Sequence, residues 1–227
     1  MRHDLEMLRN IKKKKNTSLI HKIHKKHKIS KKTLFYVKEY GHHNVVKTII
    51  KESIKILLLA SIISSVGGLA LEHIKTVFIS IMPLIILMPT LNDMIGDYGT
   101  IISSRFSTML HEGRIKKNIW KNRELEKLFV HIIIISLITS ILSLIIAVVI
   151  SNYSGYSVNR LLFSKIFLIN MIDIILIVSI LFIVAVFAGL YFYNKKEDPN
   201  NFLIPITTSI ADFGNMIILS VLIYCFF

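Results

Sequence analysis

The chain has 227 residues, of which 53% are hydrophobic and 19% charged, and 28 Lys and Arg against 14 Asp and Glu give a net charge of +14. The first 55 residues hold 16 of the basic side chains, so the remainder is far more apolar than a soluble domain, in which about 25% of residues are charged. This distribution argues against a soluble enzyme with one globular core. The single Cys225 excludes an intrachain disulfide scaffold, and the dominance of Leu, Ile, Val and Phe excludes disorder throughout. The composition therefore indicates an integral membrane protein with a basic tail.

The basic tail occupies the first 50 residues. Lys12 to Lys15 form one basic run, and the stretch from His21 to Lys32 is nearly all Lys and His, with too few apolar residues to build a core. We interpret residues 1–33 as a loose or weakly helical cytoplasmic arm and residues 34–52 as an amphipathic segment on the membrane surface. The first long apolar run starts after residue 50, too late for a signal peptide. We predict a tail over 1–50 and a membrane domain over 51–227.

Five segments of the membrane domain approach or exceed the roughly 20 apolar residues that a spanning helix needs. They run continuously apolar rather than alternating, which favours helices over barrel strands and predicts an all-α, polytopic fold. The predicted spans are Ile54–Leu71, Val77 to about Ser104, Leu128–Ile150, Leu161–Tyr193 and Phe202–Phe227.

The placement of Lys and Arg predicts the orientation. With the N-terminus inside, the inner segments (1–55, 105–127 and 195–196) hold 25 basic residues, and the outer segments hold only Lys75, Arg160 and Lys165. Five spans then place the C-terminus outside the cell membrane.

Four acids fall within or at the mouth of a predicted span: Asp93, Asp97, Asp173 and Asp212. Each costs at least about 2.5–3.5 kcal/mol in hydrocarbon, so each needs a partner, a cavity or an ion. Asp93 and Asp97 are four residues apart and share a helix face. Around them lie residues that bend a helix or let backbones approach, together with one amide: Pro83, Pro89, Asn92, Gly96 and Gly99.

The last two predicted spans each carry polar residues at helical spacing. In the fourth span Asn170 and Asp173 are three apart, and in the fifth a stripe is spaced by 3, 4 and 3, formed by Pro205, Thr208, Asp212 and Asn215. No Lys or Arg lies deep in a predicted span, so carboxylate and amide oxygens have no counter-charge there. Oxygen ligands favour a hard cation such as Mg²⁺, and the pattern predicts a cation pathway.

Structural roles stay open for these acids. Asp173 could be protonated or hydrogen-bonded to a neighbouring helix, Asp93 could cap a helix interruption, and Asp97 with Asp212 could be structural. We interpret the small residues of the first predicted span as a close-packing face, formed by Ser61, Ser64, Ser65, Gly67 and Gly68.

Two motifs resemble a known family. The first begins at Pro89, contains Gly96-Asp97 and continues through Ser104-Arg-Phe-Ser-Thr108 to Gly113. It is similar to the second membrane helix of the MgtE magnesium transporters and related eukaryotic solute carriers, where a Gly-Asn pair precedes a Ser-Arg-Leu-Ser-Thr-like run; here Asp97 takes the Asn place. The second, Asp198-Pro-Asn-Asn201 followed by Pro205 and Asp212, resembles the family's signature at the start of its fifth helix.

The resemblance implies that Asp212 is the central ion-binding carboxylate, contributed by both subunits of a homodimer, and that Asp97 lines the same pathway. We expect the metal ligands to come from Asp212, Asp97, Asp93 and Thr208. The remaining expected pathway or structural positions are Pro89, Gly96, Gly99, Arg105, Ser107, Thr108, Asn170, Asp173, Asp198, Asn201, Pro205 and Asn215. The tail is too short for the family's large cytoplasmic regulatory region, so we expect gating to differ.

The leading hypothesis is a divalent cation transporter or channel, with Mg²⁺ as transported substrate, no other cofactor, and the bilayer and a second copy of the chain as partners. An intramembrane aspartyl protease is disfavoured, because Gly96-Asp97-Tyr98-Gly99 lacks the Gly-x-Gly-Asp order of those enzymes. A second alternative is a membrane-anchored protein whose basic arm binds anionic lipid or nucleic acid. The arm has few aromatics for base stacking, so we expect lipid rather than a specific nucleic acid.

Two further features of the cytoplasmic segments have simple interpretations. His21, His24 and His27 could share a helical face and bind a transition metal, but the flanking lysines repel a cation. Trp120 is interpreted as marking the cytoplasmic membrane boundary.

Overall fold

The computed structural model describes residues 23–27, 45–115, 122–195 and 198–227. Within these ranges the chain is helical and contains no strand, which confirms the predicted all-α fold. Apart from a short helical segment at 23–27, the helices are α1 Val45–His73, α2 Lys75–Ser80, α3 Met82–His111, α4 Arg123–Tyr153, α5 Arg160–Asn194 and α6 Pro199–Phe226. Most of the predicted arm, with Lys12 to Lys15 and His21, lies outside the described residues, as does Trp120.

Side-chain caps fix the starts of the last three helices. The Asn122 side chain accepts a hydrogen bond from the backbone N–H of Glu124, and the Asn159 side chain accepts one from that of Leu162. Asp198 does the same for α6, where Pro199 occupies the first helical turn. Each cap satisfies a backbone donor that the first helical turn leaves without an intrahelical partner. These short polar residues therefore set where the long apolar helices begin.

Four helical segments of the described chain are long and apolar enough to cross a membrane: Ile56–His73 within α1, and all of α4, α5 and α6. The second predicted span, Val77 to about Ser104, is divided at Ile81 between α2 and α3, with Pro83 in the first turn of α3. Helix α3 has 30 residues, or about 45 Å at the usual rise, so its length suffices although its polar residues lower its hydropathy. The count of five spans stays a prediction.

Helix α6 is the centre of the bundle, because it packs on α1, α3 and α5, while α3 also packs on α4 and α5. The core that these helices share includes Ile102, Phe106, Ile177 and Leu203, all of which are fully buried. Large apolar side chains on the outer faces of α1, α4 and α5 remain exposed, as expected for helices that face lipid.

Small residues permit close contacts between helix backbones. A Cβ added at Gly67 of α1 would lie 3.0 Å from the Phe213 Cα of α6, and one added at Gly99 of α3 would lie 3.2 Å from the Thr207 Cβ. Because lipid supplies little hydrophobic drive between helices, such close packing is what holds a membrane bundle together. Gly67 therefore belongs to a packing face, as predicted, whereas Ser61, Ser65 and Gly68 of the same stretch are exposed, so the prediction was wrong for those three.

Candidate functional site

Asp212 lies at the centre of a polar network that joins three helices. Ser64 Oγ of α1 donates a hydrogen bond to Asp212 Oδ2 at 3.2 Å, and Asn92 Nδ2 of α3 donates one to Asp212 Oδ1 at 2.8 Å. Asn215, one turn after Asp212 on α6, donates from Nδ2 to Asn92 Oδ1 at 3.1 Å. The carboxylate is half-buried, and each of its oxygens accepts one hydrogen bond from a neutral group. The network fixes the direction of the carboxylate without neutralising its charge.

The Asp212 network depends on how α3 crosses α6. Two turns along α3 from Asn92, Gly99 meets Thr207, and the hydroxyls of Ser103 and Thr207 are hydrogen-bonded at 2.9 Å. Thr207 precedes Asp212 by five residues, so this contact sets the distance of the carboxylate from α3. On its other side, α3 is held to α4 by the hydrogen bond between Tyr98 and Thr139.

Asp93 and Asp97 lie on the exposed side of α3 rather than in the Asp212 network. Within the described ranges no hydrogen bond or ion pair holds either carboxylate. Ser104 lies on the same side nearer the end of the helix and is also exposed. The polar stripe from Asp93 to Ser104 is therefore about 16 Å long at 1.5 Å per residue. Acids at membrane depth do not face lipid tails without cost, so this stripe needs an aqueous path or a partner surface.

Other predicted positions of the pathway lie in or beside the network. Pro89 and Pro205 are inside α3 and α6 and remove backbone donors one to two turns from Asn92 and Asp212. Thr208 is half-buried, and its hydroxyl donates to the Ile204 carbonyl at 2.9 Å. Its hydroxyl therefore points back along α6 in this conformation.

Asn170 and Asp173 are fully buried on α5 and form no described contact with Asp212. Asn170 Nδ2 donates to the Ser140 carbonyl of α4 at 3.1 Å, whereas neither oxygen of Asp173 has a hydrogen-bond partner in the described part of the chain. These two residues belong to the interior of the helix bundle rather than to the exposed stripe.

The end of α3 meets the start of α6 in a separate buried contact. His111 Nε2 lies 3.5 Å from Asp198 Oδ1, and the His111 ring packs edge-on against Tyr193 at 5.6 Å between centroids. The buried Asp198 also caps α6, so this contact joins the ends of the two site helices. It holds them together far along the bundle from Asp212.

The remaining motif residues surround this end of the bundle. Ser107 is buried, Thr108 donates from its hydroxyl to the Ser104 carbonyl at 2.9 Å, and Arg105 is exposed. Asn201 is half-buried in the first turn of α6. Gly96 lies farther back on α3, near Asn92, where an added Cβ would meet no atom within 4 Å.

The described residues do not form a metal cage. Across the described ranges, no group of three or more His, Cys, Asp or Glu side chains is arranged to hold a metal ion. Mg²⁺ is commonly held by one or two carboxylates while it keeps several waters, so one oriented carboxylate is compatible with a hydrated ion.

The comparison with known families decides the identity of the chain. A sequence model described as a divalent cation transporter, MgtE, matches residues 88–222, more than half of the chain. The chain belongs to the MgtE family of divalent cation transporters. No curated protein and no solved structure matches the chain significantly. The MgtE match begins in α3 just before Pro89 and ends within α6, so it contains Asn92, Asp97 and Asp212. This protein is therefore a multi-pass membrane transporter for divalent cations.

Two members of the Asp212 network were missed by the sequence interpretation. Asn92 was noted only as a neighbour of Asp93, and Ser64 was assigned to helix packing. Asn92 differs from Asp93 by one residue, or about 100° around the helix, which directs it to α6 instead of outward. The stripe on α6 could have predicted a shared partner. Asn215 and Asp212 are three residues apart, so both can reach one residue on a crossing helix, which is Asn92.

Proposed function

We propose that this MgtE-family protein carries Mg²⁺ across the cell membrane as a homodimer, with the Asp212 carboxylates of both protomers at the centre of the ion path. The oriented carboxylate of Asp212 is the observation that carries the proposal. Ser64 and Asn92 hold its two oxygens with neutral donors, so the negative charge stays available to an approaching cation. The cation keeps most of its water shell, as Mg²⁺ does where only one or two carboxylates are offered.

The exposed stripe of α3 supports a water-filled approach to this carboxylate. Asp93 and Asp97 have no protein partner in the described ranges, and their charges raise the local concentration of cations. A second protomer that covers the stripe would keep lipid away from it while leaving an aqueous path. This arrangement gives Asp93 and Asp97 the role of attracting ions and Asp212 the role of binding them. Thr208, one turn before Asp212, would contact the hydration shell.

The charge distribution supports inward movement of the ion. The basic segments are assigned to the cytoplasmic side, which places the N-terminus inside and the C-terminus outside. An inside-negative potential then favours entry by about 2.3 kcal/mol per charge per 100 mV, and twice that for a divalent ion. In the described spanning helices, Lys and Arg lie only within the first two turns of α4 and α5, so none of them opposes the movement at mid-span. The basic arm is assigned to anionic lipid at the inner surface.

Divalent cation flux into proteoliposomes tests this function. The purified protein is reconstituted, an inside-negative potential is imposed, and Mg²⁺ entry is followed with a trapped fluorescent indicator. We expect Mg²⁺ entry in wild type, a loss of at least about tenfold in Asp212→Asn, and wild-type flux in the control Glu72→Gln, whose exposed carboxylate pairs with Lys75 at the helix end.

The same vesicles identify the transported ion and its coupling. Mn²⁺, Co²⁺ and Ca²⁺ replace Mg²⁺ in parallel measurements, with and without a proton or sodium gradient. Equal Mg²⁺ flux through wild type and Asp212→Asn would refute the assignment of Asp212, and faster flux of another divalent ion would refute Mg²⁺ as the substrate.

A further inference from the structure

An acid on α5 lies in the bundle interior, apart from the Asp212 network. Asp173 has no exposed surface, and neither of its carboxyl oxygens has a hydrogen-bond partner in the described chain. An isolated ionised carboxylate in an apolar interior costs several kcal/mol even after the surroundings relax. The folded protein avoids this free-energy cost if a bound cation or a proton compensates the charge of Asp173.

The hydrogen-bond donors near Asp173 are already used on backbone carbonyls, whereas several acceptors have no partner in the described chain. Asn170, one turn from Asp173, uses its amide N–H on the Ser140 carbonyl, which leaves Asn170 Oδ1 buried without a partner. Asn215 Oδ1 on α6 is buried without a partner as well. The hydroxyls of Ser136 and Ser140 donate to carbonyls of their own helix, at Ile133 and Leu137.

The register of α5 against α6 brings these acceptors to neighbouring turns. Lys165 of α5 donates to the Phe226 carbonyl, and Ile177 of α5 packs against Gly214, so the two helices run antiparallel. Asp173 lies one turn from Ile177 toward Lys165. It is therefore level with the turn of α6 that follows Asn215.

No charged group from the packed helices compensates Asp173 within the described ranges. On α3, Asp93 and Asp97 are exposed on the outer face, and the hydroxyl of the buried Tyr98 is engaged by Thr139 of α4. On α4, His131 and Glu126 are exposed. On α6, Asp212 is engaged by Ser64 and Asn92, and Tyr224 and Cys225 are exposed.

We propose that Asp173 and Asn170 form a buried binding site for one monovalent cation, which compensates the Asp173 charge inside each protomer. The cation is either a proton on the Asp173 carboxyl group or a Na⁺ ion held by Asp173 and the Asn170 amide oxygen. Each of them supplies one positive charge. Water alone would satisfy the acceptors but not the charge. The site is separate from the divalent path and does not depend on the proposed role of Asp212.

Thermal unfolding of the full-length protein in detergent tests this site without any transport measurement. Wild type and Asp173→Asn are equilibrated at pH 6 and pH 9, in choline chloride and in NaCl at equal ionic strength. A cation that binds only the folded state stabilises it by mass action, so removing protons at high pH in choline lowers the stability of wild type. We expect a fall of about 5 °C or more in wild type beyond that in Asp173→Asn, whose neutral amide needs no cation.

The two solutions distinguish the bound cation. Recovery of wild-type stability at pH 9 in NaCl identifies Na⁺ as a ligand, whereas the same loss in both salts identifies the proton alone. Asp173→Leu is the second variant, because an apolar side chain of similar size also removes the charge, and it is expected to lose the same dependence.

Identical pH and Na⁺ profiles in wild type and in either folded Asp173 variant would overturn the proposal, as would a wild-type stability that is flat in both variables. Asp97→Asn, which lacks only an exposed carboxylate, is expected to keep the wild-type profile. Asp212→Asn is expected to keep it too, so a failure of the divalent path would leave this result unchanged.

Discussion

The hydrogen bond between Asn92 and Asp212 gives a quantitative prediction. Asn92→Ala removes the 2.8 Å donor to Asp212 Oδ1 and leaves the Asn215 amide without its acceptor at 3.1 Å. A hydrogen bond to a charged group contributes about 1.5–3 kcal/mol in soluble proteins, but bonds between membrane helices average about 0.6 kcal/mol with a maximum near 1.7. For two lost bonds we expect destabilisation of about 1–3 kcal/mol.

A double-mutant cycle isolates the part that belongs to the Asn92–Asp212 pair. Wild type, Asn92→Ala, Asp212→Ala and the double variant are unfolded by denaturant titration in detergent micelles, and the free energies of unfolding are compared. We expect a coupling energy of about 0.5–1.7 kcal/mol, because the two residues are in direct contact.

The Ser64 bond serves as an internal comparison in the same cycle. Its length of 3.2 Å to Asp212 Oδ2 is longer than the Asn92 bond, so Ser64→Ala is expected to couple to Asp212→Ala more weakly. A coupling energy near zero for Asn92 with Asp212, with both single variants folded, would refute the network that orients the carboxylate.

Two other substitutions test the crossing of α3 and the exposed stripe. Gly99→Val is expected to be less stable than the matched Gly96→Val by about 1–3 kcal/mol in denaturant titrations, because a Cβ at Gly99 meets Thr207 at 3.2 Å whereas Gly96 faces open space. Equal stability of the two variants would contradict the close contact. Asp97→Asn is expected to keep wild-type stability but to lower the initial rate of Mg²⁺ entry about threefold to tenfold at micromolar Mg²⁺ and low ionic strength. The difference shrinks as salt is added, and an unchanged rate at low salt would contradict the role of the stripe.

Sequence patterns predicted most of the helical framework. Leu128–Ile150 and Leu161–Tyr193 lie inside α4 and α5. Helix α4 begins five residues before its predicted span and α5 one residue before, where Asn122 and Asn159 cap them. Hydropathy does not detect such caps, since polar residues at a helix start lower the local average. The break at Ile81 was also not predicted, although Pro83 is typical of a helix start.

The first predicted span starts later than the helix that contains it, for a related reason. Helix α1 begins at Val45, so the later part of the segment assigned to the membrane surface, residues 34–52, is continuous with the first span. Lys and Glu within residues 45–55 lower the hydropathy without interrupting the helix. Hydropathy measures insertion into lipid, whereas a helix extends as far as its backbone remains satisfied.

The candidate site was predicted in part. The stripe on the last span identified Asp212 and Asn215, because residues three apart share a helix face. The contact with Ser64 crosses 148 positions of the chain and depends on how α1 approaches α6 at Gly67. Local periodicity contains no information on such a contact. For the same reason the sequence did not separate Asp173, inside the helix bundle, from Asp93 and Asp97 on its surface.

Equilibrium binding of Mn²⁺, a paramagnetic substitute for Mg²⁺, tests most directly whether Asp212 binds the ion. Electron paramagnetic resonance of the purified protein in detergent measures bound Mn²⁺ without requiring transport or a defined orientation in vesicles. We predict a bound population that Mg²⁺ displaces in wild type and in Glu72→Gln, and that is lost in Asp212→Asn. The same Mg²⁺-displaceable binding in Asp212→Asn as in wild type would contradict the central role of this carboxylate.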